Sequence, residues 1–100
     1  MGDETVQSAR TETHVVVRYW AAARAAAGVP EDRIPTDRPL SLAEVRERVL
    51  ALHPDAPRLA AVVATCSVLV GDVPVGRRDP AEVTVAPGAS VEFLPPFAGG

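Results

Sequence analysis

The spacing of hydrophobic residues alternates along the chain between the period of a strand and the period of a helix. The first forty residues predict a strand, a short helix and a second strand. Residues 14–20 (HVVVRYW) are mostly β-branched or aromatic, which predicts a strand. Their nearly continuous apolar character predicts burial on both faces. The run AAARAAAG predicts a short helix that ends at Gly28. Three prolines within 29–40 leave room only for a short edge strand around 33–34.

The sequence SLAEVRERVLALHP carries the strongest helical signal. Ser41 and Glu44 have the spacing of a capping box, and Pro54 ends the helix. Glu44 and Arg48 are four residues apart, so we expect them to pair on the outer face. The apolar residues that recur at helical spacing predict a buried face, formed by Leu42, Val45, Val49 and Leu52.

A second, shorter helix is predicted after Pro54. Asp55 is its expected N-cap, and Leu59, Val62 and Val63 form one apolar face.

Cys66 then begins a strand-like alternation with two valines. We therefore interpret Cys66 as a small buried hydrophobe within a strand, with a reactive thiolate as the alternative.

The last third of the chain predicts a series of strands joined by turns. The sequence CSVLVGDVPVG indicates a strand, a tight turn at 71–72 and a returning strand that Pro74 places at a sheet edge. Val83 and Val85 then alternate in a short strand. A Pro-Gly turn at 87–88 leads to the final strand, which carries the last alternating apolar pair, Val91 and Phe93.

The order of these elements predicts an α+β domain with a mixed sheet and one main helix across one face. A β-grasp arrangement, with parallel and central first and last strands, fits that order. A Rossmann-like alternation does not, because too few helices separate the last strands. We place the domain at 14–94, between a polar N-terminal tail (1–13) predicted to be disordered and an extended C-terminal tail (95–100).

Composition and charge narrow the classes of function. One hundred residues predict a single domain, and a net charge of -3 without a basic stripe argues against nucleic-acid binding. No apolar run reaches the ~18 residues of a membrane-spanning helix, and the N-terminus lacks a signal-peptide core, so we expect a cytoplasmic protein. All ten basic residues are arginines. Codon bias is the simpler explanation, but the chain also offers no lysine side chain for cross-linking to its own copies.

Side chains typical of catalysis are sparse. His14 and His53 lie in separate predicted elements, and we interpret His53 as a surface residue compatible with a helix C-terminus. No histidine pair, and no histidine–carboxylate pair, has metal-ligand spacing. The Arg-Arg-Asp sequence at 77–79 is interpreted as a solvated loop, with partner recognition as the alternative. If the chain takes part in a reaction, ordinary side chains do not drive it.

The chain ends on VEFLPPFAGG, and this ending is its most unusual feature. The prolines at 95–96 lack N–H donors, so the last strand should end near Leu94 and continue as a stiff, extended arm. The small residues at 98–100 could pass through a narrow channel and present the free carboxylate of Gly100 to another protein. A frayed end that happens to be glycine is the alternative explanation.

Two segments carry a resemblance to a known family. VVVRYWAAARAAAG and APGASVEFLPPFAGG closely resemble the small subunit of molybdopterin synthase, a member of the ubiquitin-like sulfur carriers. The resemblance covers the chain from about His14 to Gly100, and its most specific part is LPP followed by the Gly-Gly end. Phe97 stands where an aliphatic residue is expected, and Trp20 where Phe is usual, which leaves the partner and the pathway open.

The resemblance implies a carrier cycle at the C-terminus. A ubiquitin-activating-type enzyme would use ATP to adenylate Gly100, and a sulfurtransferase would supply sulfur to form a thiocarboxylate. The tail would then enter the synthase large subunit, which holds the catalytic side chains. The chain itself would be a non-catalytic, sulfur-carrying subunit with no bound cofactor or metal. The residues expected to contact the partner are Phe93, Leu94, Pro95, Pro96, Phe97, Ala98 and Gly99.

Other functions remain open at this point. The sulfur could be destined for cysteine, thiazole or another metabolite. The chain could instead be a ubiquitin-like modifier that is joined to target lysines through Gly100. A binding module that uses its sheet surface, and never activates its terminus, is the remaining class.

Overall fold

A computed structural model of the protein describes residues 13–96, so most of the predicted N-terminal tail and residues 97–100 lie outside the described part. The described residues form seven strands, three α-helices and a short 3-10 helix. In chain order these are β1 (His14–Tyr19), α1 (Ala21–Ala27), β2 (Glu31–Pro35), β3 (Leu40–Ser41), α2 (Leu42–Leu52), α3 (Leu59–Thr65), β4 (Ser67–Val70), β5 (Val73–Pro74), the 3-10 helix (Pro80–Glu82), β6 (Thr84–Val85) and β7 (Ser90–Leu94).

The main sheet has the strand order β2-β1-β7-β4-β5. Strands β1 and β7 pair in parallel, and the other neighbours pair antiparallel. Because β7 lies in the middle with β1 beside it, the predicted β-grasp arrangement is confirmed. Strand β6 corresponds to the short strand predicted around Val83 and Val85, but its pairing with β3 in a second, two-stranded sheet was not predicted. Strand β3 has only two residues, which are too few for an alternation to be detected.

The core lies on one face of strand β1, which corrects the prediction that both faces are buried. Val15, Val17 and Tyr19 are buried, whereas Val16 is only partly buried and Arg18 is exposed. A run of three valines cannot distinguish burial on one face from burial on two. The outer face of the sheet is therefore partly open to solvent at β1.

Helix α2 begins as predicted. The Ser41 side chain accepts a hydrogen bond from the Glu44 backbone N–H (3.0 Å), and Glu44 accepts one from the Ser41 N–H (2.9 Å). The predicted Glu44–Arg48 pair is wrong, because the ion pair of Glu44 is with Arg38 (3.1 Å). Leu52, in the last turn, is 50% exposed and does not belong to the buried face.

The connection after α2 differs from prediction in two places. Helix α3 begins only at Leu59, and its N-cap is Arg58 without a side-chain cap bond, so Asp55 is not the cap. Cys66 is the C-cap of α3 instead of a strand residue, and it is half-buried. The predicted turn at 71–72 is confirmed. Gly71 and Asp72 both have positive φ (54° and 72°), as a type I′ hairpin turn requires.

Candidate functional site

The end of strand β7 is the point from which the C-terminal tail leaves the sheet. The ladder ends at Leu94, directly before the two prolines, as predicted. On one side Leu94 lies opposite Ser67 of β4. On the other side, the backbone N–H of Trp20 donates a hydrogen bond to the carbonyl oxygen of Phe93 (3.2 Å). Trp20 and Ser67 therefore flank the base of the tail.

Phe93 belongs to the core and not to the contact surface. It has no exposed area, and its ring stacks on Tyr19 with a centroid distance of 6.2 Å. The prediction that its side chain contacts a partner is wrong. Phe93 is two residues after the buried Val91 in the same strand, so both side chains point to the buried face of the sheet. Leu94 and Pro95 are partly exposed and Pro96 is exposed. The predicted contacts and carrier carboxylate at Phe97, Ala98, Gly99 and Gly100 lie outside the described residues.

Trp20 is an exposed aromatic residue beside this exit. Its side chain is 48% exposed, and its indole N–H donates to Oε1 of Glu92 (2.9 Å). The hydrogen bond satisfies the polar edge of the ring and leaves the apolar body at the surface, an arrangement that suits contact with another protein. The sequence marked Trp20 only as an unusual residue and placed it in the predicted first strand, which ends one residue earlier, at Tyr19.

A polar network of three side chains lies on the buried face of the sheet, next to Phe93. The Tyr19 hydroxyl donates to Oδ2 of Asp32 (2.7 Å), and Nε2 of His53 lies 2.5 Å from the same oxygen. His53 has only 15% of its side chain exposed, so the interpretation of His53 as a surface residue is wrong. Burial, and secondarily the bond to Asp32, raises the pKa of Tyr19. This network fixes the ring on which Phe93 stacks.

The described residues offer little covalent chemistry of their own. Burial raises the pKa of the Cys66 thiol more strongly than the nearby Arg46 lowers it, so the thiolate is disfavoured. The thiol donates a hydrogen bond to the carbonyl oxygen of Val62 (3.3 Å). Within residues 13–96, no three His, Cys, Asp or Glu side chains cluster in a way that could hold a metal ion. No helix in this part of the chain could cross a membrane.

Several known proteins are similar to this chain. The molybdopterin synthase sulfur carrier subunit of Aspergillus niger is 28% identical over 90 residues, which cover 90% of this chain and 98% of that protein. The crystal structure of small archaeal modifier protein 1 from Haloferax volcanii superimposes with a TM-score of 0.67 at 16% identity, covering 84% of this chain and 98% of that one. A chain of the Helicobacter pylori complex of molybdopterin-converting factor subunits 1 and 2 superimposes with a TM-score of 0.57 at 21% identity, covering 87% and 99%.

The family comparison covers most of the β-grasp domain together with the tail. A single family model matches residues 17–100, from within β1 to the Gly-Gly end. The match therefore includes the second half of β1, the whole of β7 beside it and the Pro-Pro exit described above. This chain belongs to the ThiS family.

Proposed function

We propose that this protein is a sulfur carrier whose C-terminal Gly100 is converted to a thiocarboxylate, and that it serves as the small subunit of a molybdopterin synthase. One observation carries the proposal. In a member of the ThiS family, the central strand ends at Leu94 and is followed at once by Pro95-Pro96 and a terminal Gly-Gly. The similarity to the Aspergillus niger sulfur carrier subunit supports the choice of pathway.

The chemistry takes place on the terminal carboxylate. One of its oxygens attacks the α-phosphorus of ATP, which releases pyrophosphate and forms an acyl-adenylate. A sulfur nucleophile at the oxidation level of sulfide, supplied by a sulfurtransferase, then attacks the acyl carbon. The bond to AMP breaks, AMP leaves, and the thiocarboxylate remains. The adenylate is needed because a bare carboxylate is a poor acyl donor. ATP is consumed by the activating enzyme, and sulfur is the only group carried by this chain.

The partner is proposed to be a synthase large subunit that encloses the tail and supplies the catalytic side chains. A Helicobacter pylori relative of similar fold forms a protein–protein complex of molybdopterin-converting factor subunits 1 and 2, which supports this assignment. In the present chain, Trp20, Leu94 and Pro96 offer exposed apolar surface at the base of the tail. A large subunit that binds the tail would cover this surface.

A ubiquitin-like modifier is the second candidate. The structural similarity to a small archaeal modifier protein favours it, because the same fold and tail could deliver an activated carboxyl group to a lysine amine. The chain has no lysine, so its copies could not be linked to one another through lysine side chains. The two candidates differ in the product, which is a thiocarboxylate for a carrier and an isopeptide bond for a modifier.

Intact-mass measurement of the protein from its native host distinguishes them. The carrier predicts a mass increase equal to one oxygen-to-sulfur exchange, localised by fragmentation to Gly100. The control variants are a deletion of residues 99–100 and an extension by one residue after Gly100. Both should lose the modification and keep the thermal stability of the parent. A wild-type protein without sulfur under sulfur-replete conditions, or one found joined to target lysines, would count against the carrier.

A further inference from the structure

A small pocket lies beside the base of the tail, between helix α2, strand β4 and the segment that contains β5. Its volume is about 260 Å³. The side chains that give it chemical character come from separated parts of the chain: Arg46, Cys66, Ser67, Pro74 and Arg78. Ser67 is also the residue that lies opposite Leu94 in the sheet. The pocket therefore opens next to the point from which the tail departs.

Two of the residues that line the pocket are arginines without a carboxylate partner among the described residues. Among residues 13–96, no Asp or Glu forms an ion pair with Arg46 or Arg78. The Nε atom of Arg46 is buried and has no hydrogen-bond acceptor. A buried N–H without an acceptor is unusual in a folded protein and needs an explanation. Because this Nε atom is not accessible, a ligand at the pocket would meet the other nitrogens of the Arg46 guanidinium, whose positive charge no described carboxylate compensates.

Arg78 is held in place by its own chain. Its Nε donates to the carbonyl oxygen of Val75 (3.1 Å), and its Nη2 donates to that of Pro74 (3.2 Å). Neither bond neutralises the charge, because carbonyl oxygens are uncharged acceptors. The nearby Cys66 does not neutralise it either, since burial raises the pKa of the thiol and keeps it protonated. A fixed guanidinium and an unpaired one at the same pocket are suited to binding an oxyanion.

We propose that the pocket of Arg46 and Arg78 binds a carboxylate side chain of the protein that receives the C-terminal tail. This inference rests on the proposed function, because it assumes that a partner encloses the tail. A pocket of about 260 Å³ falls below the ~300–1,000 Å³ of typical small-molecule sites and is large enough for one Asp or Glu side chain. A fully extended tail would place Gly100 ~20 Å from Leu94, at ~3.3–3.6 Å per residue. With the tail extended into the partner in this way, the anion at the pocket is a docking group of the partner and not the phosphate of the adenylate.

The first arm of the test uses acetate as the probe. The full chain, labelled with ¹⁵N, is titrated with sodium acetate against sodium chloride at equal ionic strength. We expect saturable shifts of the amide signals of Ser67 and Gly76, which both line the pocket. Arg46→Gln should abolish them. Arg77→Gln is the matched control, because Arg77 is exposed, precedes Arg78 and does not line the pocket, and it should leave the shifts unchanged.

The second arm measures the affinity for the synthase large subunit from the same organism by calorimetry. Loss of a charge-assisted bond predicts that Arg46→Gln weakens binding about tenfold or more, and Arg77→Gln less than about twofold. Arg46→Gln should not lower the melting temperature, since it removes an unsatisfied donor. Acetate shifts that are absent, or that Arg77→Gln abolishes equally, overturn the inference. Acetate binding without an effect of Arg46→Gln on the complex assigns the pocket to a free anion and overturns the partner carboxylate.

The two proposals fail in different ways. A wild-type chain that carries a thiocarboxylate, but whose complex is insensitive to Arg46→Gln, overturns only the docking inference. A wild-type chain that acquires no thiocarboxylate and does not bind the large subunit overturns both.

Discussion

The hydroxyl group of Tyr19 donates a 2.7 Å hydrogen bond to Oδ2 of Asp32, and this bond connects strand β1 to the edge strand β2 on the helix-covered side of the sheet. His53, the C-cap of α2, approaches the same oxygen. The Tyr19 ring also stacks on Phe93, one residue before the end of β7. One tyrosine thus connects the end of the main helix, the edge strand and the strand that carries the tail.

The stability of the protein should fall at alkaline pH because of Tyr19. Its pKa in the folded state lies above the unfolded value of about 10. Its contribution to stability is therefore complete below about pH 10 and is lost as the pH rises further. The chain has one tyrosine and no lysine, so this titration is unusually isolated. Phenolate absorbance at 295 nm should appear only together with loss of the folded state.

Tyr19→Phe provides the control for this prediction. It removes the ionisable hydroxyl and keeps the ring that stacks on Phe93. The alkaline decline of the free energy of unfolding should become shallower, and the remaining decline should come in part from Cys66, whose pKa is also raised. Phenolate that forms near pH 10 in a wild-type protein still folded by circular dichroism would contradict the assignment.

Phe93 and Leu94 should respond differently to truncation. Phe93→Ala removes a fully buried ring and should lower the free energy of unfolding by about 3–5 kcal/mol. Leu94→Ala truncates a partly exposed side chain and should cost clearly less. Chemical denaturation of the two variants measures the difference. Equal losses would show that Phe93 is not the core residue that its burial indicates.

The β-grasp fold could be predicted because it depends on element order and local spacing. The Ser41–Glu44 capping box and the 71–72 turn are signals of two to four residues, and both are confirmed. The burial of Phe93 was also available from the sequence. It alternates with Val91 in the final strand, so the two share a face. The expectation of a partner contact followed from its position near the tail instead of from this alternation.

Contacts between distant parts of the chain could not be predicted in the same way. Tyr19, Asp32 and His53 come from three elements, and nothing local to His53 indicates that a carboxylate lies beside it. Likewise, Arg46 and Arg78 meet at one pocket only because α2 and the segment after β5 pack together. From the sequence alone, charged residues of this kind are expected to be exposed to solvent, because their contacts depend on the tertiary packing.

Acid should weaken the start of helix α2 through Glu44. The Ser41 backbone N–H, and secondarily the Arg38 side chain, lowers the pKa of the Glu44 carboxyl below its usual value. Its contribution is therefore present above the unfolded pKa of about 4.3 and is lost as the pH falls through the lower, folded value. Glu44→Gln keeps an oxygen for the capping box but does not titrate. The stability difference between wild type and Glu44→Gln should shrink as the pH falls below about 4.3.

The exposed Glu47 on the same helix provides the comparison for that measurement. Glu47→Gln makes the same chemical change without touching the capping box. Thermal melts from pH 3 to 7 should show a pH-dependent difference from wild type for Glu44→Gln that is larger than that for Glu47→Gln. An identical pH profile for the two variants would show that the capping carboxylate has no special role.

Trp20→Ala should weaken binding of the proposed large subunit without a matching loss of fold stability. Trp20 is 48% exposed in the free chain, so the free energy gained by burying the rest of its apolar surface is available only in a complex. Truncation of an aromatic residue at the centre of an interface typically costs about 2 kcal/mol or more, or roughly 30-fold in affinity. Calorimetry of the complex and thermal melts of the free chain measure the two effects separately.

Leu52→Ala is the matched control, because Leu52 is equally exposed (50%) but lies at the end of α2 instead of beside the tail. If both variants bind with wild-type affinity, Trp20 is not at the interface. If Trp20→Ala lowers the melting temperature as strongly as a core substitution does, the main role of the side chain is structural and includes its hydrogen bond to Glu92.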